Sequence, residues 1–303
     1  MKRKLLISLE CPKCKGQKFK LKVAKENKEI RAGTITCIKC SSKYKVVSGI
    51  PNFLLDPGKI EAEKQGWDKL SRAEGWHEIT DDYLLELPLP QKSVENLQWD
   101  RHANNFFFLL DRLEPLKGKH VLDMGSGRCW SSRYLTKRGA EVIALDILTD
   151  KAVGLLAAEP LMKYDKTYFE RILADMDKLP FKDNSFDIVF FTGTLHHSTD
   201  LFNTLSEAYR VLKPGGLLAL TNEACGGMFT NELIDSPTEH GINEHTYRYT
   251  RYMSYLKKLS FKVKVYNEYS YYKKNKLSRL LLAPIHKIKR FLKATVFVAI
   301  AKK

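Results

Sequence analysis

The residues with the clearest chemical potential lie in a glycine loop, "VLDMGSGRCW", at positions 121–130 of the 303-residue chain. Asp123, Gly125 and Gly127 follow a buried apolar run at the close spacing of a nucleotide-binding turn. Cys129 stands where a dinucleotide fingerprint would have its last glycine. The loop by itself leaves three interpretations open: a dinucleotide, another nucleoside-bearing cofactor, or no ligand.

Two further carboxylates follow apolar runs in the same way. Asp146 ends "EVIALD", 19 residues after Gly127, where a carboxylate can accept both ribose hydroxyls of an adenosine. Asp175 stands beside Met176, and an acceptor next to a flat apolar side chain suits the amino edge and ring face of adenine. One such acid can simply cap a turn, but three at successive strand ends predict a nucleoside site.

Four of the six cysteines lie in the first 40 residues as two C-x-x-C pairs, Cys11 with Cys14 and Cys37 with Cys40. In a cytoplasmic protein this spacing predicts a tetrahedral zinc ribbon and not disulfides. Residues 18–37 alternate as two strands with a charged turn, which would bring the two pairs together. Four thiolates leave no open coordination position, so we expect the Zn²⁺ to be structural and not catalytic.

From residue 119 the hydrophobic pattern alternates between strands and helices. The predicted strands are "HVLDMG", "EVIALD", "RILADM", "SFDIVFFTG", "GGLLALTN" and "ATVFVAIAKK". The predicted helices are "WSSRYLTKRG", "DKAVGLLAAE" and "DLFNTLSEAYRVLK". This alternation is typical of an α/β fold with a Rossmann-like, doubly wound, mostly parallel sheet. Ligands of such sheets bind outside the carboxyl ends of the strands, where the glycine loop and the acids lie.

The chain divides into three expected parts: a β-rich, four-cysteine zinc ribbon at 1–58, a helical connector or lid at 59–110, and the α/β domain at 111–303. Trp67, Trp76 and Trp99 give the connector a high aromatic content. These side chains would suit either a lid over the cofactor cleft or packing against the α/β domain.

The net charge of +16 is concentrated at the two ends. Residues 1–58 and 271–303 carry +10 each, which leaves −4 for the middle. The asymmetry indicates RNA or an anionic membrane surface as a partner, or only a lysine-rich soluble surface. Residues 275–293 are basic and partly amphipathic, so they could lie on lipid, contact RNA phosphates or cover the sheet. With no apolar run long enough to span a bilayer and no signal peptide, we expect a cytoplasmic location.

The α/β domain resembles the class I S-adenosylmethionine-dependent methyltransferases, in particular the methyltransferase type 11-like group with small-molecule and quinone enzymes. "VLDMGSGRCW", "VIALD", "ADMDKLPFKDNSFDIVFFTGTLHH" and "EAYRVLKPGGLLAL" match successive motifs of that family over residues 119–221. The resemblance implies a seven-stranded sheet and S-adenosyl-L-methionine as cofactor, with Asp123 near its ammonium group, Asp146 on the ribose and Asp175 on adenine N6. The cofactor-binding residues that it implies are Asp123, Gly125, Ser126, Gly127, Asp146, Ile147, Asp175, Met176 and Thr192. Because this cofactor has no pyrophosphate, a small side chain is expected to suffice at Cys129.

The end of the ribbon, "CSSKYKVVSGIPNFLLD" at 40–56, resembles the small zinc-binding activator subunit of several tRNA, rRNA and release-factor methyltransferases. The matching residues are Tyr44, Gly49, Ile50, Pro51, Leu54, Leu55 and Asp56. The resemblance covers about residues 8–58 and implies an activator-like ribbon fused in front of its own catalytic domain.

Residues 192–200, "TGTLHHSTD", follow the strand after which this family exposes side chains to the methyl acceptor. His197 matches a catalytic or substrate-binding histidine of some relatives, and an imidazole titrates in the right range to take a proton from an oxygen acceptor. The other interpretation of His197 is packing of the following helix start, and His196 is expected to point into the fold. Glu244 and His245 form a second polar cluster at the expected rim of the cleft.

Two nucleic-acid chemistries lack their sequence signatures. Thr192-Gly-Thr-Leu replaces the Asn/Asp-Pro-Pro-aromatic motif of adenine-N6 and glutamine-N5 enzymes, and no Pro-Cys pair for attack on pyrimidines is present. The leading prediction is therefore a methyltransferase for a small or lipid-like metabolite, with transfer to oxygen. The alternatives are an RNA methyltransferase that uses its basic ends, and a non-catalytic cofactor-binding scaffold.

Overall fold

The computed structural model describes residues 1–89, 96–232, 238–266, 288, 292 and 295–303. Within this part of the chain, no helix combines the length and the apolar character needed to cross a bilayer. The basic segment noted at 275–293 lies outside the described residues apart from two positions, so its expected contacts stay predictions.

The N-terminal part is a four-stranded antiparallel sheet in the order β1-β2-β3-β4. A short 3₁₀ helix at Arg3–Ile7 precedes the strands β1 (Phe19–Glu26), β2 (Ile30–Cys37), β3 (Lys43–Val47) and β4 (Ile50–Pro51). The predicted hairpin is present, and its register sets Phe19 opposite Cys37. The two C-x-x-C segments therefore meet at one end of this sheet.

Helices connect the two sheets. They are α1 (Pro57–Ala73), a 3₁₀ turn at Trp76–Glu78, α2 (Asp81–Glu86) and α3 (Asn96–Leu110). Helix α2 begins at a regular cap, because the hydroxyl of Thr80 accepts a hydrogen bond from the backbone N–H of Tyr83 at 3.2 Å.

The second sheet has seven strands in the order β10-β11-β9-β8-β5-β6-β7. Its strands are β5 (His120–Met124), β6 (Glu141–Asp146), β7 (Glu170–Leu173), β8 (Phe186–Thr192), β9 (Leu212–Cys225), β10 (Lys262–Tyr266) and β11 (Thr295–Lys302). Strand β11 runs antiparallel to its neighbours β9 and β10, and the other described strands of this sheet all run in one direction. The chain moves outward from β5 to β7 and then returns to the other side of β5, so the strand order reverses between β5 and β8. The predicted Rossmann-like, mostly parallel sheet is confirmed.

The helices that accompany this sheet are α4 (Trp130–Lys137), α5 (Ala158–Asp165), α6 (Leu201–Val211) and α7 (Tyr249–Lys258), with 3₁₀ turns at Leu155–Ala157 and Leu195–His197. The helix predicted over 150–159 is wrong in its bounds, because α5 begins only at Ala158. A Cβ atom on Gly154 would lie 2.6 Å from the carbonyl carbon of Leu148. The chain therefore folds back against the loop after β6 before the helix can begin.

The two faces of the seven-stranded sheet each have an apolar core. Along β8, Val189 and Phe191 belong to one core, and Ile188 and Phe190 belong to the other, as the alternation of a strand requires. The first core also contains Ile35 and other side chains of the N-terminal sheet. A continuous apolar core therefore joins the two sheets.

The N-terminal sheet also covers one edge of the larger sheet. Asn52 forms a parallel bridge with Leu173 of the edge strand β7, and the backbone N–H of Phe53 donates to the carbonyl of Leu173 at 2.8 Å. Arg171 of β7 is 1% exposed and lies 3.3 Å from the carboxylate of Glu29. These contacts protect backbone groups of β7 that would otherwise be open to pairing.

Candidate active site

A cavity of about 280 Å³ opens at the carboxyl ends of β5, β6 and β8, where the strand order reverses. Ten residues of the α/β domain were predicted to bind cofactor or to act in catalysis, and eight of them line this cavity. They are Gly125, Ser126, Gly127, Asp146, Ile147, Met176, Thr192 and His197. Asp123 and Asp175 are the two that do not line it.

The glycine loop needs its unusual backbone. Gly125 has φ +66°, and a Cβ atom there would lie 2.7 Å from the Cβ of Thr194. Gly127 has φ +46°, and the nearest atom to its Cβ position is 3.5 Å away, so this position is open. Cys129 also has φ +59° at the start of α4, a conformation that costs a residue other than glycine about 1–2 kcal/mol. The prediction that only a small side chain is needed at Cys129 was therefore incomplete, because the backbone there also favours glycine.

Asp146 at the end of β6 is the carboxylate that faces the cavity. Its oxygens accept the backbone N–H groups of Gly127 at 2.8 Å and of Leu148 at 2.9 Å. Burial raises the pKa of Asp146 to about 6, although these two N–H groups oppose that shift. A carboxylate has about four acceptor positions, so Asp146 can still accept hydroxyl groups of a ligand while it holds the loop.

Asp123 lies beneath the loop and is fully buried. Its Oδ2 accepts hydrogen bonds from the hydroxyls of Ser131 and Ser132, at 2.6 Å each, in the first turn of α4. Among the described residues, no group hydrogen-bonds its Oδ1. Burial raises the pKa of Asp123 to about 6, against the effect of the two serines. In this arrangement Asp123 anchors the helix that follows the loop, and only its Oδ1 is left for another partner.

Asp175 faces away from the cavity. Its Oδ1 accepts the backbone N–H of Asp177 at 2.9 Å, and its side chain lines a different, more acidic pocket. Ala174 and Met176, on either side of it, do line the cavity. Because Asp175 lines that other pocket while both of its neighbours line the cavity, its carboxylate is not among the cavity groups that could reach adenine.

Aromatic side chains form much of the remaining wall. All four tryptophans of the chain line the cavity: Trp67, Trp76, Trp99 and Trp130. The ring of Trp67 lies 5.6 Å from the ring of His197, edge to face. The three connector tryptophans thus occupy the place that the lid interpretation requires.

Glu63 of α1 is a cavity residue that sequence reasoning missed. It is 7% exposed, accepts the indole N–H of Trp67 at 3.0 Å and accepts the backbone N–H of Asn243 at 2.8 Å. Burial raises the pKa of this carboxylate. Nothing in the sequence marks Glu63, because only the packing of α1 over the sheet brings it to the cavity. The proximity of Trp67 on the next helical turn was the single available signal.

His197 lines the cavity, and its hydrogen bonding defines which ring nitrogen carries the proton. Its Nδ1 lies 2.6 Å from the backbone carbonyl of Asn243, which can only accept, so Nδ1 carries the proton and Nε2 carries a lone pair. Burial lowers the pKa of His197, and the neighbouring His196 lowers it further, to about 4. The ring therefore stays neutral near pH 7, as a group that accepts a proton or binds an ion must.

His196 points into the fold, as expected, and lies between two carboxylates. Its Nδ1 is 3.3 Å from Oε2 of the buried Glu223, and its Nε2 is 3.3 Å from Oε2 of Glu244. Burial opposes the charged imidazole, but Glu223 and Glu244 together outweigh burial and raise the pKa of His196 to about 9. The predicted rim cluster is thus partly present: Glu244 contacts the histidine pair, while the ring of His245 lies against Tyr247 at 5.4 Å.

The four N-terminal cysteines come together at a second location. The Sγ atoms of Cys11 and Cys40 are 3.7 Å apart, and those of Cys14 and Cys37 are 3.6 Å apart. A tetrahedral zinc ion with Zn–S bonds of about 2.3 Å sets its sulfur atoms about 3.8 Å apart. The hydroxyl of Tyr44 lies 3.0 Å from the Sγ of Cys11. The donor set and its spacing therefore fit a Zn²⁺ ion.

The basic N-terminal end appears as a row of exposed lysines on β1, at Lys20, Lys22 and Lys25. Strand β1 is the outer strand of its sheet, where lysines also prevent pairing with other chains. The row is compatible with an anionic partner, but it does not require one.

Residues 122–220, about a third of the chain, match the family model described as a methyltransferase domain. Malonyl-[acyl-carrier protein] O-methyltransferase of Salmonella typhimurium is 31% identical over 135 residues, which are 43% of this chain and 51% of that protein. Demethylmenaquinone methyltransferase of Renibacterium salmoninarum is 33% identical over 112 residues, 37% of this chain and 44% of that protein. The chain thus spans about half the length of the curated relatives it matches.

Two solved structures share the fold. One is 1,6-didemethyltoxoflavin-N1-methyltransferase of Burkholderia thailandensis with 1,6-didemethyltoxoflavin and S-adenosylhomocysteine bound; it has TM-score 0.51 and 16% identity over 88% of this chain and 97% of that one. The other is phosphoethanolamine N-methyltransferase 2 of Haemonchus contortus with S-adenosyl-L-methionine; it has TM-score 0.51 and 20% identity over 78% of this chain and 60% of that one. At these identities the likeness concerns the fold.

Proposed function

We propose that the methyltransferase domain at residues 122–220 makes this chain an S-adenosylmethionine-dependent enzyme that methylates a small-molecule or lipid-like metabolite at oxygen. The observation that carries the proposal is the layout of the cavity. Asp146 follows β6 and His197 follows β8, and the glycine loop after β5 lies between them. A nucleoside held on the Asp146 side would reach across the loop toward an acceptor on the His197 side.

The residues present fit the cofactor. The Asp146 carboxylate has free acceptor positions for two ribose hydroxyls, and Ile147 and Met176 offer apolar surface for a purine ring. The open position at Gly127 allows a ligand to approach the backbone. When bound, S-adenosyl-L-methionine supplies a methyl group on a positively charged sulfur. Both structural relatives described above contain this cofactor or its demethylated product.

His197 is the residue proposed to activate the acceptor. Its Nε2 lone pair is held in place by the Nδ1 hydrogen bond to Asn243, and the neutral ring lines the cavity beside Trp67. Since an oxygen acceptor must lose its proton before or during methyl transfer, a fixed lone pair at this point assists the reaction. Positioning of the acceptor along the direction of displacement contributes the rest of the acceleration.

The cavity wall favours a flat or apolar acceptor. Four tryptophans surround the space, and indole rings offer large apolar faces on which a ring or an acyl chain can lie. The curated relatives bear names that refer to a malonyl group on a carrier protein and to a menaquinone precursor. None of the relatives reported above is named for an RNA substrate, and the exposed lysines of β1 alone do not favour that alternative.

Two measurements test the proposal. Calorimetric titration with S-adenosylhomocysteine should show one binding site per chain. Asp146→Ala should lower the affinity for S-adenosylhomocysteine at least about 100-fold, because two charge-assisted hydrogen bonds are lost. The matched control is Asp150→Asn. Among the described residues, Asp150 accepts a hydrogen bond from the backbone N–H of Val153 in the same loop, and the asparagine keeps an acceptor oxygen for it. Equal affinity of wild type and Asp146→Ala would refute the cofactor site.

Transfer of labelled methyl groups to a panel of phenols, quinols and carboxylic acids then tests the acceptor side. His197→Ala should lower the rate by about 10²–10⁴-fold and leave the affinity for S-adenosylhomocysteine unchanged. Full activity of that variant would remove His197 from the mechanism. Methylation of RNA but of no small molecule would contradict the proposed acceptor class.

We also propose that Cys11, Cys14, Cys37 and Cys40 hold one structural Zn²⁺, in an activator-like ribbon at 1–58 that is followed by the connector at 59–110 and the catalytic part at 111–303. The four sulfur atoms have the spacing of a tetrahedral site. With all four positions taken by thiolates, the ion would stabilise the small sheet and not take part in methyl transfer.

A further inference from the structure

We propose that His196, His197 and Glu244 form a binding site for one divalent transition-metal ion at the acceptor end of the cavity. One possible ligand atom from each of the three residues lies within 4.8 Å of the other two. The Glu244 oxygens are 3.3 Å from Nε2 of His196 and 3.8 Å from Nε2 of His197. An ion about 2.1 Å from each ligand atom holds such atoms about 3–4 Å apart, so the cluster has the size of a coordination sphere.

The hydrogen bonds at His197 leave its Nε2 without a proton. The carbonyl of Asn243 accepts from Nδ1 at 2.6 Å, which fixes the proton there. Nε2 therefore presents a lone pair toward the carboxylate of Glu244 at 3.8 Å, beyond the length of a hydrogen bond. A divalent ion that binds here takes up this lone pair and replaces the Nε2 proton by which His196 contacts Glu244 at 3.3 Å.

The ring of His196 is directed at the same carboxylate, Glu244. Glu223 is fully buried and accepts the backbone N–H groups of Thr194 at 3.1 Å and Leu195 at 3.0 Å, so it is an acceptor for Nδ1 of His196 as well. Nε2 of His196 then points at Glu244. An imidazole with Nδ1 bonded to a carboxylate or carbonyl and Nε2 directed at a common point is the usual arrangement of a metal-binding histidine.

The cluster is accessible to an ion from solvent and borders the cavity. The side chain of Glu244 is 45% exposed, and His197 lines the cavity. Two histidines and one carboxylate suit Zn²⁺, Fe²⁺, Co²⁺ or Mn²⁺ and leave coordination positions open for an oxygen of the acceptor. Asn243, which orients His197, is itself held to α1 by the carboxylate of Glu63 at 2.8 Å. The site is thus built on three separate elements.

The ion would change the role proposed above for His197 from that of a base to that of a ligand. With the ion present, the Nε2 lone pair of His197 binds it, and a hydroxyl of the acceptor that binds at an open position loses its proton to solvent more readily. The acceptor oxygen then forms a bond to the methyl carbon while the carbon–sulfur bond breaks and its electron pair stays on sulfur. This catalytic role rests on the proposed function, whereas the binding of the ion does not.

Titration of the full chain with Co²⁺, after its cysteine cluster has been filled with Zn²⁺, tests the site. We expect one Co²⁺ per chain with visible d–d absorption and no thiolate charge-transfer band, because the ligands are nitrogen and oxygen. Glu244→Gln should weaken this binding by at least about 100-fold, since loss of even an outer hydrogen-bond partner costs about 10–100-fold. His120→Gln removes an exposed imidazole at the opposite end of β5 and should leave the binding unchanged.

The proposal is overturned if the wild type binds no Co²⁺ beyond the cysteine cluster, or if Glu244→Gln binds it equally well. Because Glu244 is partly exposed, its variant should fold, and an unchanged thermal unfolding curve would establish this. Affinity for S-adenosylhomocysteine, measured on the same samples, reports on the proposed function separately. If the protein binds Co²⁺ but not S-adenosylhomocysteine, the proposed methyltransferase function is refuted and the metal site is supported.

Discussion

At the scale of single residues, three aspartates with the same sequence signature have three different surroundings. Asp146 faces the cavity, Asp123 is buried under the loop on Ser131 and Ser132, and Asp175 faces another pocket. All three lie near the end of a strand or shortly after it, as predicted, although β7 ends at Leu173 and not at Met176. The sequence could not assign the direction of each side chain. A shift of one position in a strand turns a side chain to the opposite face.

Cofactor affinity should depend on pH through Asp146. Burial raises its pKa to about 6, so the carboxylate that accepts ribose hydroxyls is present above that pH and is protonated below it. We expect the affinity for S-adenosylhomocysteine to fall by about tenfold per pH unit below about pH 6 and to be level above it. Calorimetry between pH 5 and pH 8 measures this. Asp146→Asn should bind weakly and without this dependence; if it keeps the same slope, another group such as Asp123 is responsible.

Gly125 should tolerate no side chain. Gly125→Ala would add a Cβ atom 2.7 Å from Thr194 to a residue with φ +66°, so the loop must move and the cavity with it. Gly118→Ala is the matched control, because Gly118 has φ +75° but no atom within 4 Å of its Cβ position. Both variants should lose about 1–2 kcal/mol of unfolding free energy from the backbone conformation, and only Gly125→Ala should also lose cofactor affinity. Normal binding by Gly125→Ala would show that the loop adapts.

At the scale of elements, an ion pair connects three helices around the cavity. Arg133 of α4 bonds Asp165 at the end of α5 through Nε at 2.5 Å, and the carbonyl of Leu85 in α2 at 2.7 Å. The side chains of Arg133 and Asp165 are 5% and 6% exposed. Periodicity predicted α4, but it placed the next helix at 150–159 and did not identify α2. The pairing could not be predicted, because it depends on how α2 of the connector lies against the α/β domain.

Breaking this pair should destabilise the protein strongly. Asp165→Ala leaves the Arg133 guanidinium buried without its carboxylate, for which we expect a loss of about 3–5 kcal/mol in unfolding free energy, measured with urea. Arg133 lowers the pKa of Asp165, so the stability from this pair is present above the ordinary pKa of an aspartate and is lost at more acidic pH. The control is Asp68→Ala, which breaks the Arg72–Asp68 pair, 67% and 62% exposed, and should cost less than about 1 kcal/mol. Equal losses in the two variants would contradict this account.

At the scale of the whole molecule, the N-terminal sheet and the α/β domain are joined through one apolar core and through backbone pairing at β7. All four tryptophans lie at the cavity and none in the first 58 residues. Tryptophan fluorescence therefore reports on the cavity, whereas the cysteine cluster lies in the N-terminal sheet. The cysteine cluster can therefore be perturbed while tryptophan fluorescence follows the cavity.

Removal of zinc should therefore lower the stability that tryptophan fluorescence reports at the cavity. If the proposed ion stabilises the ribbon, a strong chelator should cost about 5 kcal/mol and lower the midpoint of the fluorescence-detected thermal transition by about 10 °C. The transition should stay single, because the two sheets share a core. Cys14→Ser should already be destabilised and should not respond to the chelator. If the chelator leaves the midpoint of the fluorescence-detected transition of the wild type unchanged, the two parts unfold independently.

The order of strands and helices over residues 119–221, the glycine loop, Asp146 and the four cysteines could be identified from the amino-acid sequence. These features are local, because apolar periodicity, glycine spacing and C-x-x-C pairs each involve residues that are close together in the sequence and can be recognised there. Strand β10 was not among the predicted strands. The folded structure was needed to establish that Asp175 turns away from the cavity and that Glu63 and the connector tryptophans line it. It was also needed to bring Glu244 to the histidine pair. These facts depend on contacts between segments that are far apart in the chain. Tertiary packing, and not local conformational preference, determines which of their side chains are in contact.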